Sequence, residues 1–495
     1  MIGQATSLAR RSSVRIEADR SRVVTRLFVP GHEGFDHQES RSSPVLERVL
    51  ALSDDEVQQS YDDVCARFEG RHRGLPEIFL RHADELSDRL DPDLQLSPIR
   101  RLLLGATFTS EYAIEGAALC NPSMVMHPDQ TGVSPGGLRF VMSVRAIGEG
   151  HSSSIGFRTG TVSISGEVGF DPIPTFACTG RRDRPMLESE VFKGELRRLH
   201  RGGDDADYVL GRLGPRFTEA ELEGRLRVLE DHVSTRKQAK RTVSLMRRIA
   251  ERSYSVRFED GAPLSEHVLL PSMSAEAKGM EDARFVRFVE DDGYATYFAS
   301  YTAYNGTDIG QQLLETSDFL NFTSSPMVGA AAANKGLALF PRRIGGRFAA
   351  LSRSDRESNT IAYSENPCRW EEGLTCQVPT RSWEVVQLGN CGSPIETDAG
   401  WLVLTHGVGP MRTYSIGAIL LELEDPTQVI GQLPEPLLTP AADEQDGYVP
   451  NVVYSCGALL HEGTLVLPYG IGDSAIGMAT VPLDELLSSL QPVPD

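Results

Sequence analysis

Two adjacent acids and an arginine, Glu281-Asp282-Ala283-Arg284, stand directly before the run Phe285-Val286-Arg287-Phe288. A turn at Asp291-Asp292-Gly293 leads from there into Tyr297-Phe298-Ala299-Ser300-Tyr301-Thr302, so the acids are expected at the mouth of a β-hairpin. A carboxylate in such a place is costly unless it is paired or put to use, because losing water penalises the charged form. Two readings are open. Asp282 pairs with Arg284 and closes a turn, or one of the acids handles a proton in a reaction.

The chain of 495 residues carries 24% charged and 40% hydrophobic residues, the ordinary balance of a soluble globular protein, and a formal charge of -20. General nucleic-acid binding needs a basic footprint, which this chain lacks. An anionic ligand has to be drawn in by a local ring of cations acting against the overall field. The seven cysteines are scattered, with no CxxC pair and no Cys/His cluster, which argues against a disulfide framework and against structural zinc. There is no HExxH and no EF-hand loop, so no metal or other cofactor is expected. No apolar run approaches the length of a membrane-spanning helix, and no membrane association is expected. The first 30 residues are arginine-rich without the apolar stretch of a secretory signal, and read as a partly ordered arm of a cytoplasmic protein.

Residues 40–105 read as helical, with Ser53 and Glu56 forming a capping box. Helices are predicted near 75–90 and 98–104. Short strands and glycine-rich turns follow from Asn121 onward. Residues 185–252 return to helix behind a second capping box at Thr218 and Glu221, with a basic run through Arg236-Lys237, Lys240-Arg241 and Arg247-Arg248 that reads as a solvated face. Beyond Tyr254 the strand clusters recur at 283–302, 337–363, 401–421 and 452–481, and with 121–180 they make five. A spacing of about 50–60 residues between small antiparallel sheets points to radial repetition. The division expected is 1–110 as arm and helical extension, 111–182 as the first sheet, 183–255 as a helical insertion, and 256–490 as the remaining sheets.

The β-region resembles glycoside hydrolase family 130, the β-mannoside phosphorylases and β-mannosidases. The likeness runs over 115–180 and 255–485 and rests on motifs in register: Asn121-Pro122-Ser123, Gly279-Met280-Glu281-Asp282-Ala283-Arg284, Tyr301-Thr302-Ala303-Tyr304, Lys335-Gly336, Arg353, Thr405-His406-Gly407-Val408, Gly447-Tyr448-Val449-Pro450-Asn451-Val452-Val453, and Tyr469-Gly470 with Asp473. The resemblance implies an all-β five-bladed β-propeller, here with an α-helical N-terminal extension and a helical insertion. It implies Asp282 as the proton donor, acting on the glycosidic oxygen through a sugar hydroxyl, and Lys335, Arg353 and His406 as the phosphate ring. Asn121, Arg145, Glu281, Arg284, Tyr301, Tyr414 and Asp473 are expected to hold the sugar, and a basic residue found in phosphorylases is missing near Gln387.

The implied reaction is inverting phosphorolysis of a β-mannoside, with an oligosaccharide as substrate and inorganic phosphate as co-substrate. A phosphorylase needs an acid and a means of neutralising a dianion, whereas an inverting hydrolase needs a second carboxylate about 6.5–9.5 Å from the first. Glu365, Glu396, Glu444 and Asp473 are the acids open to that second role. A β-mannosidase in the same pocket is therefore one alternative, and a non-catalytic carbohydrate-binding propeller is another. Structural roles also stand open for each cation: Lys335 on a sheet surface, Arg353 paired with Asp355 or Glu357, His406 inside the core. Trp370, Trp401 and Tyr304 are candidate sugar platforms, and the N-terminal helices offer a surface for a homo-oligomer.

Overall fold

The computed structural model describes residues 8–30, 42–91, 93–183, 185–198, 203–232 and 237–493. Pro92, Val233 and Arg236, which the sequence places at a helix end and in the basic run, lie outside the described residues. The chain divides into two units, one made of 1–18, 117–173 and 179–495, the other of 19–116 and 174–178.

The larger unit is built from antiparallel sheets of short strands. The first holds Ala118–Met126, Leu138–Ile147, Ser153–Val162 and Val168–Phe170, each hydrogen-bonded to the next. The second holds Gly279–Val289, Ala295–Tyr304, Ile309–Thr316, Asn321–Pro326 and Tyr254–Arg257. A single parallel bridge, Gly279 to Ser153, joins the two. The third runs Ala338–Leu339, Phe348–Ser352, Asn359–Ser364 and Gly373–Gln377, and the fourth Gln387–Asn390, Gly400–Val408, Tyr414–Leu421 and Val429–Gln432. The fifth joins Val453–Tyr454, Thr464–Ile471 and Ala475–Pro482 to Arg10–Glu17 from the other end of the chain.

The central strands are buried residue after residue rather than alternately, so both faces of these sheets have to be covered by their neighbours. Phe157 of the first sheet stacks on Phe322 and meets Phe285 edge-on in the second. Val286, Phe288 and Phe298 pack on Leu339, Phe348 and Ala350 of the third. Ala349 and Leu351 pack on Trp401 and Val403 of the fourth, and Leu402 and Leu404 on Leu465 and Leu467 of the fifth. Val466 and Met478 of the fifth then pack on Phe140, Met142 and Val144 of the first. The packing order is cyclic. Trp370 and Trp401, candidate sugar platforms in the sequence, are fully buried in these layers with their indole N–H groups donated to backbone carbonyls.

The helices Ser189–Arg198, Asp204–Leu210, Glu219–His232 and Lys237–Glu251 surround an apolar core of their own that includes Phe192, Phe217, Leu222, Leu226 and Met246. The Thr218–Glu221 capping box is made in both directions. The smaller unit packs helices Ser42–Ala51, Asp54–Phe68, Leu75–Glu85 and Pro98–Thr107 with the antiparallel strand pair Val23–Leu27 and Thr109–Ala113, which brackets them in sequence. Ser53 caps the second of these helices, with Glu56 closing the box. Among the described residues, no helix is long and apolar enough to cross a membrane.

Residues 10–17, read from the sequence as part of a loose arm, form the edge strand of the fifth sheet. Arg11 fixes them there, with Nε and Nη2 both on the Glu444 carboxylate at 3.0 and 2.9 Å. Tyr469 donates to the same carboxylate at 2.7 Å and the Ala441 amide at 2.9 Å. Burial pushes the Glu444 carboxyl up, but Arg11, the Ala441 amide and Tyr469 more than offset it and hold it below the usual range. Arg11→Ala is expected to cost about 1–2 kcal/mol, discounted because the arginine is partly in water. That contribution is complete above the unfolded glutamate value of about 4.3 and is lost as pH falls through the lower folded value. Thermal unfolding of both proteins across acid pH should show the gap in Tm closing in that window.

Candidate active site

Asp282 sits on a bulge. In the hairpin register Glu281 faces Thr302 and Arg284 faces Ser300, so two residues, Asp282 and Ala283, oppose Tyr301 alone. Asp282 takes up the extra residue in the left-handed region, at φ 57°. A second bulge lies in the first sheet, where Cys120 faces Arg145 and Ser123 faces Ser143. Asn121 is left-handed there too, at φ 49°, a conformation asparagine tolerates better than most side chains. The neighbouring Pro122 gives up no ladder bond, because the bulge has already interrupted the pairing. The two strained residues meet: Asn121 Nδ2 donates to Asp282 Oδ1 at 2.6 Å. Strain of this kind persists only where its surroundings hold it, and it gathers at functional sites.

Arg145 ties both acids together. It donates to Asp282 Oδ1 at 3.2 Å and to Glu281 Oε1 at 2.5 Å, while its Nε donates to Ser153 Oγ at 2.9 Å. Asp282 is 5% exposed. Burial alone would push its carboxyl up, but Arg145, Lys335 and Arg284, with the Asn121 hydrogen bond, hold it well below the usual carboxylate range. Glu281 goes the other way: burial raises it, with the Asp282 charge adding to the rise and Arg145 and Lys335 opposing it. Burial likewise raises Asp473, left-handed at φ 50° on the turn after Thr464–Ile471, with Asp282 adding and Arg145 and Lys335 opposing.

Three cations complete the cluster, and among the described residues none of them is paired with a carboxylate side chain. Arg284 donates to the Asp282 carbonyl at 3.1 Å and to the Tyr454 hydroxyl at 2.7 Å, and its Nε is buried without a partner. Arg353 donates to His406 Nε2 at 2.7 Å, and its Nε is buried without a partner as well. Lys335 stands half-buried in the field of Glu281, Asp282 and Asp473. Gly389 makes the Arg353–His406 contact fit, since a Cβ there would lie 2.4 Å from Arg353 Cδ and 2.6 Å from His406 Cε1.

His406 is not one of the cations. Its Nδ1 faces the Asn390 carbonyl at 3.1 Å, so the proton is on Nδ1 and Nε2 accepts from Arg353. Burial, with Arg353 and Arg284 beside it, pushes the imidazole far below its usual value. The sequence expectation that His406 brings charge or a free N–H to a phosphate is corrected by this geometry: its one N–H is already committed, and what it holds is Arg353.

Asn121, Arg145, Glu281, Asp282, Arg284, Lys335 and Asp473 thus form one electrostatically linked group, and Arg353 and His406 adjoin it. Tyr414 stacks on His406 at 6.1 Å between ring centroids. Tyr301 does not belong. Lying opposite the bulge, its side chain turns into the sheet, where the hydroxyl contacts Glu276 at 2.6 Å and Ser324 at 2.8 Å. Of the other acids considered, Glu444 is committed to Arg11 and Glu396 to Arg342, while Glu365 is exposed. Tyr304 turns its hydroxyl to the Gly306 carbonyl.

Three contributors escaped the sequence reading. Tyr454 accepts from Arg284 and meets the His406 ring edge-on at 4.9 Å, yet it lies one residue beyond the stretch 447–453 that carried the likeness. Ser153 anchors Arg145, and Asn390 sets the His406 tautomer while donating to the Gly336 carbonyl at 2.6 Å. Neither carries a signal in its neighbours along the chain.

The profile of glycoside hydrolase family 130, described as beta-1,4-mannooligosaccharide phosphorylase, matches residues 220–491. The chain is 33% identical over 227 residues to the 1,2-beta-oligomannan phosphorylase of Thermoanaerobacter sp. (strain X514), covering 45% of this chain and 75% of that one. It is 30% identical over 230 residues to the beta-1,2-mannobiose phosphorylase of Listeria innocua serovar 6a, covering 45% and 63%. To the beta-1,4-mannooligosaccharide phosphorylase of Ruminococcus albus it is 31% identical over 214 residues, covering 41% and 62%. Asn121 and Arg145 lie before the matched residues, yet both hydrogen-bond Asp282 inside them. On the length of the profile match and the 75% share of the first of these relatives, the chain belongs to glycoside hydrolase family 130.

Proposed function

We propose that this protein cleaves β-linked mannosides by phosphorolysis with inversion, releasing α-mannose 1-phosphate and a shortened acceptor. The observation that carries this reading is three cations without a carboxylate partner, Arg284, Lys335 and Arg353, beside the buried carboxyl of Asp282. Arg284 and Arg353 each keep a buried Nε without a hydrogen-bond partner, and a phosphate dianion supplies the acceptors and the charge that suit them. The names of the relatives, all phosphorylases of β-mannosides, agree with it. The cyclic packing of five small antiparallel sheets supports a five-bladed propeller as the scaffold. Inorganic phosphate is the only co-substrate in this reading and no metal takes part. The seven free cysteines suit a reducing, cytoplasmic setting.

In the step itself a phosphate oxygen attacks the anomeric carbon from the face opposite the leaving group, and the glycosidic C–O bond breaks. The leaving oxygen takes a proton from a sugar hydroxyl, which is refilled from the Asp282 carboxyl, and the remaining P–OH proton of hydrogen phosphate restores that carboxyl. Arg284, Lys335 and Arg353 hold the phosphate, with His406 and Tyr454 fixing the two guanidinium groups. Asn121, Arg145, Glu281 and Asp473 surround the mannosyl ring. A hydrolytic reading keeps one specific support, the Asp473 carboxyl in the field of Asp282. Turnover of β-1,2- and β-1,4-mannobiose with and without phosphate separates the two. Phosphate-dependent mannose 1-phosphate is expected, and free mannose regardless of phosphate would move the reaction to hydrolysis.

Asp282→Asn is expected to lower kcat by at least about a thousandfold while leaving sugar binding in place, as steady-state kinetics and calorimetric titration would show. A further prediction concerns the proton. Arg145, Lys335 and Arg284 hold the Asp282 carboxyl low, and phosphate is to neutralise the last two, so an incoming dianion raises its pKa and favours uptake of a proton. Sulfate, a dianion with no proton to release near neutrality, is the clean probe. Titrated calorimetrically at about pH 6 in buffers of different ionisation enthalpy, it should bind with uptake of a fraction of a proton in the wild type, shared with Glu281 and Asp473 in the same field, and with less uptake in Asp282→Asn. Gly389→Ala should displace Arg353 and raise the KM for phosphate about tenfold or more, with a smaller change in the KM for sugar.

A further inference from the structure

The hairpin turns that open onto the Asp282 group carry exposed aromatic and apolar side chains that the reaction above does not use. His151 lies in the turn 148–152, two residues before the Ser153 that anchors Arg145. Met411 lies in the turn 409–413, just before the Tyr414 that stacks on His406. Tyr448 is fixed by its backbone N–H to Ser474 Oγ at 2.6 Å, and Val449 N–H to the Gly472 carbonyl at 2.9 Å, on either side of Asp473. Each of these segments is therefore tied to a residue of the Asp282 group or to one that contacts it.

Their exposure is unusual for their chemistry. Tyr448 is 58% exposed and Met411 87%. Single exposed apolar residues need no explanation, but this tyrosine is held in a fixed pose: its ring lies over the His151 ring at 5.8 Å between centroids and 27° between planes. His151 is presented by a left-handed backbone at φ 57°, and Met411 likewise at φ 57°, so strain is spent on both turns to aim these side chains. A flat ring, braced from below and open above, matches the apolar C–H face of a pyranose.

We propose that Tyr448, braced by His151, is the platform for the sugar ring on the leaving-group side of the scissile bond, and so sets the preference for the acceptor and its length. This rests on the reading of the pocket as a β-mannoside site. The mannosyl ring and phosphate lie in the charged interior, and the acceptor emerges over the rim between the first and fifth sheets. Tyr448 reaches neither the anomeric carbon nor the phosphate.

The test is calorimetric binding of β-1,2- and β-1,4-mannotriose and, separately, of mannose 1-phosphate, to the wild type, Tyr448→Ala and Tyr448→Phe, with phosphate-dependent turnover measured alongside. Tyr448→Ala should weaken mannotriose binding about tenfold, Tyr448→Phe should stay within about twofold, and mannose 1-phosphate should bind all three alike. Equal mannotriose affinity in the wild type and Tyr448→Ala would overturn the platform. A parallel loss for mannotriose and mannose 1-phosphate would overturn it too, since that marks a residue supporting the pocket as a whole. A selective loss for mannotriose in a protein that forms no mannose 1-phosphate would uphold the platform and sink the phosphorolytic reading. Mannotriose that fails to bind the wild type would sink both.

Discussion

The hydrogen bond from Asn121 to Asp282 is the constraint on which the site depends, because it joins two backbone irregularities that neither sheet would keep alone. Each bulge leaves an extra residue in a left-handed conformation at a cost on the order of 1 kcal/mol or more. Each also turns a short polar side chain out of its strand's regular alternation and toward the other sheet. Arg145, standing opposite Cys120 just before the first bulge, closes the gap by reaching both carboxylates of the second. Ser123 adds a further link, accepting from the Phe285 amide across the same seam. The seam between the first two sheets is thus held by polar contacts where it faces the site and by the Phe157 cluster deeper in.

A general acid has to carry a proton, yet the groups around Asp282 favour its loss. The conflict resolves when the charge of the co-substrate is counted. Two of the cations that lower the carboxyl pKa, Lys335 and Arg284, are among those the proposed reaction gives to phosphate, so in that reading a bound dianion favours protonation of the acid, while Arg145 still opposes it. A neutral His406 fits this arrangement better than a charged one would. Another positive group in a buried cluster would add repulsion, whereas an imidazole lone pair orients Arg353 without adding charge.

Much of this was legible in the chain. The five strand clusters and both capping boxes followed from spacing and residue type, which also singled out the acids at 281 and 282 without choosing between a turn-closing pair and a proton carrier. Lys335, Arg353 and His406 came from likeness to a family as a phosphate ring and Arg284 as a sugar contact; the fold brings the four near Asp282, with His406 neutral. What could not be read depended on pairing across the fold. Tyr301 sits in the same motif-rich hairpin as Asp282, and only the bulge decides that one side chain faces the pocket and the other the core. His406 shows its role only through Asn390, a residue sixteen positions away with no local signature. Residues 10–17 lack a strong alternating pattern, and their strand exists because the far end of the chain offers an edge to pair with.

That last feature has a bearing on how the protein is made. Arg11 meets Glu444 across 433 residues of sequence, and its strand pairs with 475–480. A ribosome releases the early strand long before its partner exists, so residues 10–17 must wait unpaired through almost the whole of synthesis. The strand can pair only once residues 475–480 have been made, and closing so long a loop carries a large entropy. The arginine-rich character of that first strand keeps it hydrated and poor at self-association while it waits. The charge that looked like a mark of a loose arm is what lets the last sheet be completed by the first strand.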